Sequence, residues 1–192
     1  MHQDEVTRTG LNRRSFIGFG AVAAAAALTP LRAQAAPVAK KAPVRSLSFF
    51  NTHTGERLKT TYCCDGAYEP EALKQINHIL RDWRVDKVKP IDPKLLDLLH
   101  ELSGTLETDS PYHIISGYRS PDTNATLRTK GGAHTGVASQ SLHMVGKAID
   151  IRVPGVKLDH LRGAARSLKL GGVGFYPSSN FVHVDTGRVR FW

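Results

Sequence analysis

Three side chains able to hold a metal fall in the last third of the sequence: His143, Asp150 and His183. Asp150 lies in Ala148-Ile149-Asp150-Ile151-Arg152-Val153, seven positions after His143. Strand alternation puts Ile149, Ile151 and Val153 on one face, and Asp150 on the other with Ala148 and Arg152. A carboxylate among aliphatic neighbours is costly to bury unpaired, and a cation is one way to satisfy it. His183 has a similar setting in Phe181-Val182-His183-Val184-Asp185, where Phe181, His183 and Asp185 share a face. Two histidines and one carboxylate give zinc three protein ligands and leave a position open for water, the catalytic arrangement and not the closed structural one. Zinc there would acidify the water and polarise a carbonyl, which suits amide hydrolysis. On spacing alone, a buried His–Asp hydrogen bond or salt bridge explains the same residues.

The elements that must position these groups follow from periodicity. Ser46–Phe50 and Arg57–Tyr62, separated by a turn at Thr54-Gly55, read as a hairpin. Leu73, Ile76, Ile79, Leu80 and Trp83 recur at helical spacing and predict a helix over Glu69–Arg84. Asp92-Pro93 supplies an N-cap and a first-turn proline to a second helix marked by Leu95, Leu98, Leu99, Leu102 and Leu106. His113–Ser116 reads as a short strand and Ser120–Arg128 as a short helix, and residues 129–142 read as a loop. Strands over 148–153 and 181–185 flank a third helix, Leu158–Leu168, closed by Gly171-Gly172. This order predicts an α+β fold: a single domain with a small antiparallel sheet carrying the site, packed against helices.

Three ordered segments carry a family resemblance. They are Ser116-Gly117-Tyr118-Arg119-Ser120, Ser141-Leu142-His143-Met144-Val145-Gly146-Lys147-Ala148-Ile149-Asp150, and Phe181-Val182-His183-Val184-Asp185. Together they resemble the zinc D-Ala-D-Ala metallopeptidase superfamily, and within it the MepK/YcbK-like murein endopeptidases. Asn51-Thr52-His53-Thr54-Gly55-Glu56, Ile91-Asp92-Pro93 and Gly171-Gly172-Val173-Gly174 extend the resemblance over nearly all of residues 46–192. The resemblance implies Zn²⁺ held by His143, Asp150 and His183, with Arg119 contacting the substrate or the developing oxyanion. Arginine suits that task because it stays charged and donates two parallel hydrogen bonds. Ser141 either touches substrate or makes a local loop hydrogen bond. Many members of the superfamily carry a carboxylate base three residues before the last ligand histidine, where this chain has Asn180. Asp185 is the nearest acidic candidate, either as the base or as the partner that fixes the His183 imidazole. The implied substrate is the peptidoglycan stem peptide, most simply at a cross-link. A carboxypeptidase or dipeptidase acting on stem ends, and a wall-binding module with a degenerate metal site, are the rival readings.

The remaining sequence says where such chemistry would operate. Arg13-Arg14-Ser15-Phe16-Ile17 precedes an apolar run ending at Leu28, and Ala33-Gln34-Ala35 has the small-x-small pattern of a cleavage site. Residues 1–35 therefore read as a twin-arginine signal peptide, residues 36–45 as a Pro/Ala/Lys linker, and 46–192 as the peptidase domain in the periplasm. The apolar run is too short for a permanent membrane anchor. The chain carries 26 Lys+Arg against 17 Asp+Glu, a formal balance of +9. Residues 1–35 hold Arg8, Arg13, Arg14 and Arg32 with Asp4 and Glu5, so +7 remains without them. A basic protein outside the cytoplasm, with no aromatic-interleaved basic strip, points away from nucleic acid and toward an anionic polymer of the envelope. Two cysteines exclude a disulfide-rich scaffold; Cys63-Cys64 pair as a vicinal disulfide or remain thiols. His134, in a Gly-rich loop, is either a further imidazole near the metal or a loop residue, and Phe175-Tyr176 line the cleft or pack in the core.

Overall fold

The structure, a computed structural model, describes residues 44–130 and 137–192. Residues 1–35, read above as a signal peptide, most of the expected linker over 36–45, and His134 lie outside the described residues. The chain opens with β1 (Arg45–Asn51) and β2 (Arg57–Cys64), an antiparallel pair as expected. Asn51 fixes the turn between them, its Oδ1 accepting from the backbone N–H groups of His53 and Thr54. A two-residue strand, β3 (Ala67–Tyr68), leads into α1 (Pro70–Ile79). Next come α2 (Pro93–Thr105), β4 (Tyr112–Ser116), α3 (Pro121–Lys130), a 3₁₀ turn at Leu142–Val145, and β5 (Ala148–Arg152). The chain then forms α4 (Leu158–Leu168), β6 (Gly172–Tyr176), β7 (Phe181–Asp185) and β8 (Arg190–Phe191).

All eight strands join one sheet in the order β3-β2-β1-β4-β5-β7-β6-β8. The fold is α+β and a single domain, but the sheet is neither small nor purely antiparallel. β1 pairs with β4, and β6 with β8, in parallel. Two of these strands defeat pattern reading. β6 begins with glycines that resemble a helix stop, and β8 is two residues long, below the length at which alternation is visible. One face of the sheet is apolar: Phe49, Ile114, Ile149, Ile151, Val182 and Val184 are buried in one cluster with the leucines of α2 and Leu161 of α4. No helix of the described residues is long and apolar enough to cross a membrane.

The first helix is shorter than its periodicity predicts. It ends at Ile79, because the Leu80 carbonyl accepts from Tyr118 N–H at 2.7 Å, not from a further helical turn. The chain then reverses around the buried Asp82, whose carboxylate accepts from the backbone N–H groups of Arg84 and Ser120. Trp83 therefore leaves the core and stacks on His53, 4.4 Å between ring centres. Cys63 and Cys64 are free thiols, the first of them buried.

A candidate metal centre on the uncovered face of the sheet

Alternation leaves the second face of the sheet to the polar residues, and register brings them together. Asp150 on β5 lies directly opposite His183 on β7, and His183 lies opposite Gly174 on β6. A register irregularity between Ile114 and Ser116 sets Ser116 opposite Asp150. A row Ser116–Asp150–His183–Gly174 thus crosses four strands, and the antiparallel ladder alone makes neighbours of Asp150 and His183.

His143 reaches this row from the 3₁₀ turn. That turn ends at Gly146 in the left-handed region, φ 69°, where a Cβ would lie 2.3 Å from the Pro90 carbonyl oxygen. Asp92 secures both ligand segments while capping α2. Its N–H donates to the Gly146 carbonyl, its Oδ1 accepts from Lys94 N–H, and its Oδ2 accepts from the Thr186 hydroxyl at 3.0 Å.

Hydrogen-bond accounting decides what the cluster can hold. His143 Nδ1 lies 2.7 Å from the Gly117 carbonyl, which can only accept, so Nδ1 carries the proton and Nε2 is bare in the neutral ring. His183 Nε2 lies 2.9 Å from Asp185 Oδ2 and Nδ1 2.8 Å from Asp150 Oδ1, so a cation taking the Nδ1 lone pair would leave the ring proton on Nε2, facing Asp185. His143 Nε2 and His183 Nδ1 are 3.2 Å apart, and they lie 3.2 and 2.8 Å from the same oxygen, Asp150 Oδ1. Two imidazole nitrogens and a carboxylate oxygen, all buried and converging on one point, form the donor set of a cation, and the residues present fit a zinc-type site. The electrostatics agree. Burial pulls the His183 imidazole down, but hydrogen bonds to Asp150 and Asp185 outweigh it and push it up to about 9. Burial would raise Asp150, yet its contacts with His143 and His183 hold it well below the usual carboxylate range. Without a metal, a proton supplies the positive charge that these groups require.

Arg119 is brought to the same site. Its N–H donates to the His143 carbonyl, and its guanidinium lies 3.6 Å from Asp150 Oδ2, the carboxylate oxygen turned away from the imidazoles. Its side chain donates to Asn124 and Ser116, while Nε has no partner among the described residues. Burial lowers its pKa, with Asp150 opposing. Ser141 lines the cleft beside Arg119 and His143, and its hydroxyl makes no capping bond.

Asp185, the candidate base or orienting partner of His183, lies behind the imidazole. It is fully buried and does not line the cleft. Its oxygens already accept from His183 Nε2, from both terminal nitrogens of Arg190 and from the backbone N–H groups of Gly172 and Gly187. Burial would raise this carboxyl, but the hydrogen bonds from His183 and Arg190 hold it well below the usual range. A carboxylate so saturated is a poor proton acceptor and a good orienter, the second role open to it. Asn180, at φ 53°, is exposed and ends a turn before β7. Among the described residues lining the cleft, Asp150 is the only carboxylate. Sequence reasoning missed Arg190, which clamps Asp185, and Trp192, whose ring lies 5.3 Å from that of His183. The signal for both was the basic and aromatic pair closing the chain, two residues apart and so on one strand face.

Comparison with known proteins agrees with this geometry. The family model described as peptidoglycan L,D-endopeptidase MepK (Peptidase_M15_2) matches residues 39–192. The chain belongs to the MepK family. Similar members include the peptidoglycan L,D-endopeptidase MepK of Escherichia coli K12, 44% identical over 181 residues, covering 94% of this chain and 97% of that one. The protein of the same name from Shigella flexneri matches to the same extent. The probable MepK of Haemophilus influenzae is 39% identical over 182 residues, covering 94% of this chain and 95% of the relative. For a MepK-family chain, the donor set on the uncovered face is that of a metallopeptidase.

Proposed function

We propose that the protein is a zinc-dependent murein endopeptidase that hydrolyses an amide bond joining an L- to a D-configured centre in peptidoglycan cross-links. Membership in a family described as peptidoglycan L,D-endopeptidases supports the substrate class. The observation that carries the mechanism is the convergence of His143 Nε2, His183 Nδ1 and Asp150 Oδ1 within 3.2 Å of one another. In this reading those residues hold Zn²⁺, which supplies Lewis-acid polarisation of the scissile carbonyl and acidifies a water. Gly117 and Asp185 fix the two imidazole tautomers, so both lone pairs are aimed before the metal arrives. Arg119, held by Asn124 and Ser116, offers its guanidinium to the substrate carbonyl or carboxylate, and Ser141 contributes a hydroxyl to the same cleft. Export by the twin-arginine route through residues 1–35, a linker over 36–45 and a periplasmic peptidase domain over 46–192 complete the reading, supported by the Arg13-Arg14 signal pattern.

Mass spectrometry of products from purified cross-linked and uncross-linked muropeptides tests this. Cross-linked dimers are expected to split, and chelator or His183→Ala to reduce turnover at least about 1,000-fold, consistent with losing the carbonyl-polarising ion. Release of terminal residues alone would make the enzyme a stem-peptide carboxypeptidase. Turnover indifferent to chelator would remove the metal from the mechanism.

A further inference from the structure

Arg119 is one donor placed to meet the oxygen of a scissile carbonyl, and the same cleft offers a second. Tyr176 stands on the ligand face of β6, two residues along from Gly174, which lies opposite His183. Its ring is stacked on Phe181, 4.6 Å between centres and 22° from parallel, and both side chains line the cleft with Arg119.

The protons around this hydroxyl can be counted. Trp192 Nε1 lies 2.8 Å from the Tyr176 oxygen. An indole nitrogen only donates, so the tyrosine oxygen is the acceptor and keeps its own O–H proton to give elsewhere. No described residue accepts that proton. The indole is held in place by the fold: a Cβ on Gly174 would lie 2.6 Å from the Trp192 ring, so this position has room for the indole because it is glycine. The glycines of β6 thus clear the ligand face for the tryptophan, which bridges the His183 ring and the Tyr176 hydroxyl. Arg119 lines the same cleft.

We propose that Tyr176 is a catalytic residue: its hydroxyl, polarised by the Trp192 N–H, donates a hydrogen bond to the oxygen of the scissile carbonyl as that oxygen gains negative charge. The proton stays on the tyrosine, and the bond strengthens only as charge develops, so it acts on turnover more than on binding. Arg119 and Tyr176 then approach the reacting oxygen from two sides of the cleft. This assignment rests on the peptidase reading above.

Zinc-loaded wild type, Tyr176→Phe and Trp192→Phe are compared on a soluble cross-linked muropeptide, with zinc content and thermal midpoint measured on each. Tyr176→Phe is expected to lower kcat about 100-fold, the cost of one oxyanion donor, with KM within about twofold and zinc content unchanged. Trp192→Phe keeps an aromatic ring but no N–H, and is expected to lower kcat by a smaller factor in the same direction. Tyr176→Phe retaining more than about a third of wild-type kcat overturns the assignment. So does a loss confined to KM or explained by missing zinc, and if Tyr176→Phe does not fold, unchanged kcat in Trp192→Phe does so too. Wild type that yields no chelator-sensitive product fails earlier, at the peptidase reading itself.

Discussion

At the scale of single residues, the metal-binding cluster depends on which nitrogen of each ring carries a proton. Asp185 makes that choice for His183, and Arg190 holds Asp185 with two donors at 3.0 and 2.7 Å. Asp185→Asn keeps the shape but offers an amide that can turn its NH₂ toward His183 and invert the tautomer. Zinc affinity, measured by competition with a chromophoric chelator, is expected to fall about 10- to 100-fold. An unchanged affinity would mean that the Asp185 contact does not set the ligand. The three ligands were legible in the sequence because a carboxylate and imidazoles interrupt otherwise aliphatic strands. The role of Asp185 was open there, since base and orienter differ only in which way the carboxylate faces and how many donors already reach it. Neither property exists before the strands pair. The partner of Arg190 was hidden for the same reason, being fixed by β8 and not by spacing.

At the scale of elements, short irregular pieces do the positioning. The 3₁₀ turn carrying His143 closes on Gly146, whose carbonyl accepts from Asp92 N–H at the start of α2. Gly146→Ala would meet both a left-handed backbone and the Pro90 carbonyl. It is expected to cost about 2 kcal/mol or more in stability, measured by urea unfolding, with weaker metal binding because His143 is displaced. The long helices and the two central site strands follow from hydrophobic period, which is why α2, α4, β5 and β7 were readable. The end of α1 was not readable, because the Leu80 carbonyl is claimed by Tyr118, thirty-eight positions on. The glycine-led strand β6 was unreadable too. Its small residues answer to the bulk of Arg190 and Trp192 lying over it, a cause that no local window contains.

At the scale of the whole molecule, a few buried carboxylates tie distant segments together and set the response to acid. Burial would raise Asp82, but hydrogen bonds from Thr123, Ser120 and Arg84 outweigh it and hold the carboxyl below its ordinary value. A carboxyl depressed by folding contributes stability in full above its unfolded value of about 3.9, and loses that contribution as pH falls through its folded value. Asp82→Asn is therefore expected to destabilise the protein by about 2 kcal/mol near neutrality and to flatten the acid limb of its stability curve. Urea midpoints taken across the acid range would show this, and parallel curves for the two proteins would refute it. The mixed eight-stranded sheet explains why the segments meet at all: parallel pairing of β1 with β4 brings Asn51 beside Ile114 across the chain. Helices α1, α2 and α4 cover one face of this sheet, and the row Ser116–Asp150–His183–Gly174 lies on the other. Shape and chemistry are thereby uncoupled. A copy stripped of its metal keeps its apolar face, its Arg119 and its aromatic lip, and so keeps the means to occupy a cross-link that it cannot cut. Metal-free protein is therefore expected to slow digestion by the active enzyme when the two are mixed on limiting cross-linked substrate, and an unchanged rate would refute this.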